Sequence, residues 1–217
     1  MNEREQRITE AAARWAKAKL ESDSSGHDWH HIERVVKTVR TIAAAEGADA
    51  FVCELAALLH DMADEKLNDD PKAAERELAA WLADSGASEE EASRVLDIIG
   101  TMSFKGGAGP KVATLEGRVV QDADRLDAIG AIGISRVFAY SGAKGRPIHD
   151  PAVAVRTDMT EEEYRSGRDT AINHFYEKLL KLKDLMNTDE GRRLAEGRHR
   201  FMETYLERFH AEWEGRS

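Results

Sequence analysis

The chain has 217 residues, a formal charge of −10 at pH 7, and 41% hydrophobic against 33% charged residues. This apolar fraction can offset the entropy lost on ordering one core, so the composition predicts a globular chain and argues against disorder. The acidic balance argues against duplex nucleic acid as a partner, because polyanions are bound through clustered basic residues. No apolar run approaches the ~18 residues of a membrane-spanning helix, and the first residues lack the apolar region of a signal peptide. We therefore expect a cytoplasmic protein with no membrane or nucleic-acid partner.

Hydrophobic residues in the first half of the chain recur at steps of three and four, which is the period of an amphipathic helix. Gly47 stands where a helix C-cap is expected, and Asp49 stands at the N-cap of the next helix. Ser88 and Glu91 fit a capping box at the start of a later helix. The helices predicted in this half cover residues of about 3–21, 28–46, 49–62, 71–84 and 89–102.

A further helical pattern starts at Thr114, and we expect it to break near the glycines Gly130 and Gly133. Residues 143–159 form the longest stretch without periodicity, and loops of this length are often functional lids. The last two predicted helices cover residues of about 160–186 and 189–213.

The chain shows no convincing strand pattern, so the sequence predicts an all-α fold. Thr160 and Glu163 give a second capping box after the long loop. We expect a single domain over residues 1–217, with 143–159 as a long loop or lid and 160–217 as C-terminal helices packed on the core.

Titratable residues interrupt an apolar helical pattern at residues 55–70, LAALLHDMADEKLNDD. His60 and Asp64 are four residues apart, so on a continuing helix their side chains share one face. His60 and Asp61 diverge by ~100°, so both can touch one ion only if it lies between their directions. The cluster is either part of a metal site or a core histidine beside an acidic loop.

Two further metal-ligand candidates lie on predicted helices. His31 precedes Val35 by one turn on the apolar side of the second helix, whereas His30 lies off that stripe and is expected to be exposed. Asp124 lies in the buried pattern of DADRLDAIG. Two histidines and two aspartates leave about two positions open on an octahedral ion, which is the layout of a catalytic site. Spacing alone leaves the alternative open, because hydrogen-bonded core histidines give the same pattern.

Three motifs occur in order along the chain, each on a predicted helix. They are HHIERV with His31, LLHDMAD with His60 and Asp61, and DADRLDAIG with Asp124. Together they resemble the H…HD…D signature of the HD-domain metal-dependent phosphohydrolases. The resemblance is to the bacterial uncharacterised HD hydrolases, and it extends through HFYEKLLKLKDLMNTDEGRRLAEGRHRFMETYLERFHAEW. It implies a helical HD-domain bundle in which these four residues bind one divalent ion, with Mn, Fe, Co, Ni, Mg and Zn all compatible with the ligand set.

The resemblance also assigns roles to the neighbouring acids. Asp124 occupies the family position in the A-D-R-L frame, whereas Asp122 points ~200° away on a helix, and Asp127 is a neighbour able to orient a ligand. In related HD enzymes an acidic residue three positions after the motif aspartate accepts a proton from water or positions it. Asp64 matches that offset and is the predicted catalytic residue, with Glu65 as the neighbouring alternative.

Phosphate binding requires cations near the metal, and the sequence offers two candidates. Lys66 follows the acidic cluster, and Lys105 lies in the glycine-bearing SFKGGAG. Arg125 is expected to form a structural salt bridge instead. The resulting prediction is a metal-dependent hydrolase of phosphate ester or anhydride bonds in a small phosphorylated substrate, a nucleotide in the first interpretation. The alternatives are hydrolysis of a guanosine polyphosphate or cyclic nucleotide, and a metal-dependent ligand-binding module without turnover.

Overall fold

The computed structural model describes residues 1–21, 28–64, 67–102, 112–156 and 169–216. These residues form α-helices and short 3-10 turns, and none of them lies in a β-strand, which confirms the predicted all-α class. Within the same ranges, no helix is both long and apolar enough to cross a membrane.

The chain divides into two compact units. Of the described residues, the first unit contains 1–21, 28–64, 67–102 and 112–123, and the second contains 124–156 and 169–216. The division falls inside one helix, between Ala123 and Asp124. The expectation of a single domain over the whole chain therefore stays a prediction.

The first unit contains five helices that lie wholly within its described residues, and the sequence predicts each of them to within a few residues. They are α1 (Glu3–Leu20), α2 (Trp29–Glu46), α3 (Ala50–Leu59), α4 (Pro71–Asp84) and α5 (Glu89–Thr101). The next helix, α6 (Leu115–Asp127), starts in this unit and continues into the second.

Local capping contacts explain why these helices begin and end where the sequence predicts. Gly47 ends α2 with a φ of 72°, a left-handed conformation that glycine adopts without strain. The Asp49 carboxylate accepts hydrogen bonds from the first backbone N–H groups of α3. Ser88 and Glu91 form the predicted reciprocal capping box at the start of α5.

The helix α3 is the centre of the first unit. All its residues from Phe51 to Leu59 are buried, and it packs against α1, α2 and α5. A helix that is apolar all round gains free energy only when every side is covered, so this element fixes the positions of its neighbours. Whatever follows Leu59 therefore starts inside the core.

One ion pair, between the exposed Arg40 and the buried Glu54, joins α2 to α3. The Arg40 guanidinium donates from Nε and Nη2 to the two carboxylate oxygens of Glu54, at 2.7 and 2.6 Å. Glu54 is buried at 4% exposure, and a carboxylate removed from water requires such a partner. The pair therefore holds together the two helices that carry or precede His31 and His60.

The second unit contains α7 (Gly130–Ala143), α8 (Ala171–Glu177), two 3-10 turns (Leu179–Lys181 and Lys183–Leu185) and α9 (Asp189–Trp213). The predicted break near Gly130 is confirmed, because α6 ends at Asp127 and α7 starts at Gly130, whose φ is 75°. In this unit α7 packs against α8 and α9.

The predicted helix over 160–186 is wrong in its described part. The side chain of Thr170 accepts a hydrogen bond from the Asn173 backbone N–H and starts α8 at Ala171, and α8 ends at Glu177. After α8, a 3-10 turn places residues three positions apart on the same side, so that Leu179 and Leu182 are both buried. The predicted capping box, Thr160 with Glu163, lies outside the described residues. In the described part of the predicted loop over 143–159, Ala143 is the last residue of α7 and residues 144–156 are non-helical.

Removing the Arg40 cation tests the role of this ion pair. Arg40→Met should lower the free energy of unfolding by about 1–3 kcal/mol, because it leaves the Glu54 carboxylate without two charge-assisted hydrogen bonds. Urea unfolding at pH 7 measures this, with the exposed neighbour Lys37→Met as the control. The double variant Arg40→Met/Glu54→Met should recover part of the loss. A double variant less stable than Arg40→Met would contradict this account.

Candidate metal centre

His60 and Asp61 lie where the buried helix α3 ends. The helix stops at Leu59 rather than continuing to about residue 62, and the backbone N–H of Met62 donates to the Leu59 carbonyl at 3.0 Å in a tighter turn. His60 is 8% exposed and Asp61 is 4% exposed. The assumption of a continuing helix through Asp64 is therefore wrong, and the tight turn brings His60 and Asp61 together instead.

His31 lies in the first turn of α2. The Asp28 side chain caps this helix by accepting a hydrogen bond from the His31 backbone N–H at 2.8 Å. The His31 side chain is 1% exposed, on the same face as the buried Val35. The neighbouring His30 is exposed, as predicted, and its Nδ1 pairs with the Glu33 carboxylate at 2.8 Å.

Three of the predicted ligands meet at short distances. The Nε2 atoms of His31 and His60 are 3.3 Å apart. One carboxylate oxygen of Asp61 lies 3.5 Å from His31 Nε2, and the other lies 3.3 Å from His60 Nε2. Each imidazole thus faces both the other ring nitrogen and the carboxylate, in surroundings from which water is almost excluded.

A backbone hydrogen bond fixes the tautomer of His60. Its Nδ1 lies 2.9 Å from the carbonyl oxygen of Ala57, and a carbonyl can only accept, so Nδ1 carries the proton. In the neutral ring Nε2 then presents a lone pair towards His31 and Asp61. Metal-binding histidines use this arrangement, in which the other ring nitrogen donates to a carbonyl or carboxylate.

Asp124 supplies the fourth predicted ligand from α6. One ligand atom from each of His31, His60 and Asp124 can be chosen so that all three lie within 4.8 Å of one another. Asp124 is half-buried, whereas Asp122 is fully buried about 200° round the same helix. The choice of Asp124 over Asp122 stays a prediction.

The donor set fits one divalent cation. Two ligands at ~2.1 Å from one ion are separated by about 3.0 Å at octahedral and about 3.4 Å at tetrahedral angles. The observed 3.3–3.5 Å separations among His31, His60 and Asp61 lie close to this range. The His60 Nε2 lone pair also faces an Asp61 carboxylate oxygen. Two acceptor atoms this close repel each other, and a cation between them makes the contact favourable. Their assignment as ligands stays a prediction that this geometry fits.

The remaining predicted site residues have different outcomes. Asp64 is half-buried directly after the cluster, and its backbone N–H donates to the Asp61 carbonyl at 3.2 Å. Glu65, Lys66 and Lys105 lie outside the described residues. The Arg125 guanidinium donates to the Leu185 carbonyl, and its expected salt bridge stays a prediction.

Two features of the site have no clear signal in the sequence. The first is the Ala57 carbonyl, whose place three residues before His60 is visible only once the helix is known to end there. The second is Arg136, whose Nη1 pairs with the buried Asp127 carboxylate at 2.6 Å. The contact that fixes Asp127 thus comes from α7, which no local pattern predicts.

A family model described as the HD domain matches residues 28–129 of this chain. The uncharacterized protein YpgQ of Bacillus subtilis is 44% identical over 190 residues, which cover 87% of this chain and 85% of YpgQ. The chain belongs to the HD-domain superfamily. The matched range of this HD domain contains His31, His60, Asp61 and Asp124.

Two crystal structures of HD-domain relatives superpose over nearly the whole chain. The structure of Bacillus subtilis YpgQ in complex with ADP is 39% identical, covers 96% of each chain, and has a TM-score of 0.80. An HD-superfamily hydrolase from Bacillus thuringiensis is 47% identical, covers 97% of this chain and 98% of its own, and has a TM-score of 0.78. The similarity therefore includes the C-terminal helices beyond the HD family model.

Replacing one imidazole tests the candidate metal centre. His31→Gln should weaken Mn²⁺ binding by about 100-fold or more, because losing a ligand costs at least as much as losing an outer-shell partner. Calorimetric titration of the metal-free protein measures the dissociation constant. His30→Gln is the matched control, since it removes only an exposed pair one residue away. Equal affinities in the two variants would show that His31 is not a ligand.

Proposed function

We propose that this HD-domain protein is a metal-dependent phosphohydrolase that cleaves ester or anhydride bonds of a small nucleotide. The observation that carries the proposal is the buried convergence of His31, His60 and Asp61, with Asp124 close by. The bound ADP of Bacillus subtilis YpgQ supports a nucleotide as the substrate class. The chain's net charge of −10 favours a small substrate over a nucleic acid.

A divalent ion in such a site polarises a phosphoryl oxygen and lowers the pKa of water bound to it. The protein's part is to hold the ligand atoms in place before the ion and the substrate arrive. His60 contributes a ring whose tautomer is fixed by Ala57, and Asp61 contributes a buried carboxylate. Burial strengthens the attraction between this carboxylate and a cation, because water no longer screens it.

The role assigned to Asp64 in this proposal is to accept a proton from the attacking water or to position that water. Its backbone is held from both sides: its N–H donates to the Asp61 carbonyl, and its carbonyl accepts from the Asn68 side-chain amide at 2.9 Å. The same Asn68 amide nitrogen also donates to the Met62 carbonyl at 3.1 Å. These contacts close the turn that follows the metal cluster, so the position of Asp64 relative to Asp61 is fixed by the backbone.

A substrate panel tests the proposed reaction. Nucleoside mono-, di- and triphosphates, a guanosine polyphosphate and a cyclic dinucleotide are each incubated with the protein and Mn²⁺, Co²⁺ or Mg²⁺. Release of phosphate, pyrophosphate or a nucleoside monophosphate identifies the bond that is cleaved. Turnover of only the last two substrates would favour a signalling-nucleotide hydrolase. Binding without turnover for every compound and metal would overturn the hydrolase proposal in favour of a binding module.

Asp64→Asn separates metal binding from turnover. The amide cannot accept a proton as the carboxylate does, so kcat should fall by about 100-fold or more, while Mn²⁺ affinity stays within a few-fold of wild type. Steady-state kinetics and metal titration on the same preparation measure the two effects. Asp69→Asn, an exposed acid in the same loop, is the control. Full activity in Asp64→Asn would exclude Asp64 as the proton acceptor.

A further inference from the structure

Three arginines hold the last turn of α6, the turn that begins with the proposed ligand Asp124. Arg198 of α9 donates from Nη1 to the Leu126 carbonyl. Arg136 of α7 donates from Nη1 to the Asp127 carboxylate at 2.6 Å and lies 3.4 Å from the Asp127 carbonyl. Arg125 of α6 itself donates to the Leu185 carbonyl. Contacts from α7, α9 and the 3-10 turn thus converge on one helix end.

The chemistry of a helix end explains why cations collect here. The last carbonyls of a helix lack intrahelical donors and carry the negative end of the helix dipole. Backbone bonds supply part of the need, since the Ile129 N–H donates to the Leu126 carbonyl at 3.2 Å. The Arg198 guanidinium supplies a second, charged donor to the same oxygen, and such bonds are stronger than neutral ones.

Arg198 occupies this position despite an electrostatic cost. Burial lowers the pKa of its guanidinium, and the negative charge of Asp127 opposes that effect only in part. Its aliphatic stem is packed tightly against Gly130, where an added Cβ would lie 2.9 Å from Arg198 Cγ. The contact between Arg198 and Gly130 is too close for a methyl group to fit. It therefore strongly constrains the orientation of the half-buried Arg198 side chain.

We propose that Arg198 is a positioning residue for Asp124, acting through the backbone of the α6 last turn. The inference rests on the proposed metal centre. Asp124 is two residues before Leu126, so a shift of this turn moves the Asp124 carboxylate. Ligand positions must be kept within about 0.5 Å for tight metal binding, and a charged hydrogen bond to a packed element provides that restraint.

The first test removes the donor. Arg198→Met keeps the packed stem but cannot bond the Leu126 carbonyl, and the dissociation constant for Mn²⁺ should rise about 10–100-fold, as for other outer-shell partners. Arg198→Lys, which keeps one charged donor, should recover part of the affinity. Arg200→Met, on the exposed face of the same helix, should bind like wild type. Thermal unfolding is recorded for each variant, and an unchanged Mn²⁺ affinity in folded Arg198→Met would overturn the proposal.

The second test displaces Arg198 without changing it. Gly130→Ala puts a methyl group against Arg198 and introduces strain at a φ of 75°. Gly145→Ala introduces similar strain at a φ of 66° with no atom within 4 Å, so it is the matched control. Weaker Mn²⁺ binding in Gly130→Ala than in Gly145→Ala supports the proposal, and equal binding contradicts it. This comparison decides the matter if Arg198→Met does not fold.

Wild-type titration separates this inference from the proposed function. If the wild-type protein binds no Mn²⁺, Co²⁺ or Mg²⁺, the metal centre itself fails, and so does the inference that depends on it. If the wild type binds metal and His31→Gln does not, the centre stands, and only the Arg198 and Gly130 variants decide the role of Arg198.

Discussion

The hydrogen bond from His60 Nδ1 to the Ala57 carbonyl is the contact on which the proposed site depends. It converts a ring with two possible tautomers into one whose Nε2 lone pair faces His31 and Asp61. The bond forms because α3 ends at Leu59, which leaves the preceding carbonyls of the helix available to a side chain. The end of a buried helix thus supplies both the position of the ligand and its chemistry.

The packing around α3 explains why the buried polar groups near its end must interact with one another or with a shared partner. His31, His60 and Asp61 are each less than one-tenth exposed, and removing such groups from water costs free energy unless each has a partner. Two imidazoles and a carboxylate can satisfy part of this need among themselves. A divalent cation would satisfy it more fully, because it attracts both lone pairs and the carboxylate at once.

The sequence predicts the helices best where the signals are local. The caps at Gly47, Asp49 and Ser88 depend on side chains within three residues, so α2, α3 and α5 begin or end near their predicted boundaries. The predicted helix over 160–186 is wrong in its described part, where α8 ends at Glu177 and two 3-10 turns follow. At this point Arg156 donates to the buried Glu177 carboxylate at 2.6 Å, a contact between residues 21 apart that no local pattern indicates.

The residues of the candidate site likewise include some that the sequence signals locally and others that it does not. The ordered motifs identify His31, His60, Asp61 and Asp124 because residue type and order are written in the chain. The Ala57 carbonyl and Arg198 carry no such mark, since one is a backbone atom and the other lies 72 residues from the carbonyl it contacts. Residues that hold a ligand in place are found only through the fold, and this limits what sequence reasoning can assign.

The proposed function requires one divalent ion held by the two histidines and the two aspartates. Crystals grown with Mn²⁺ and measured at a wavelength where manganese scatters anomalously would locate this ion. We expect a single strong anomalous peak within about 2.0–2.3 Å of His31 Nε2, His60 Nε2 and oxygens of Asp61 and Asp124. A peak bound elsewhere, with these four side chains satisfied by one another and by water, would contradict it.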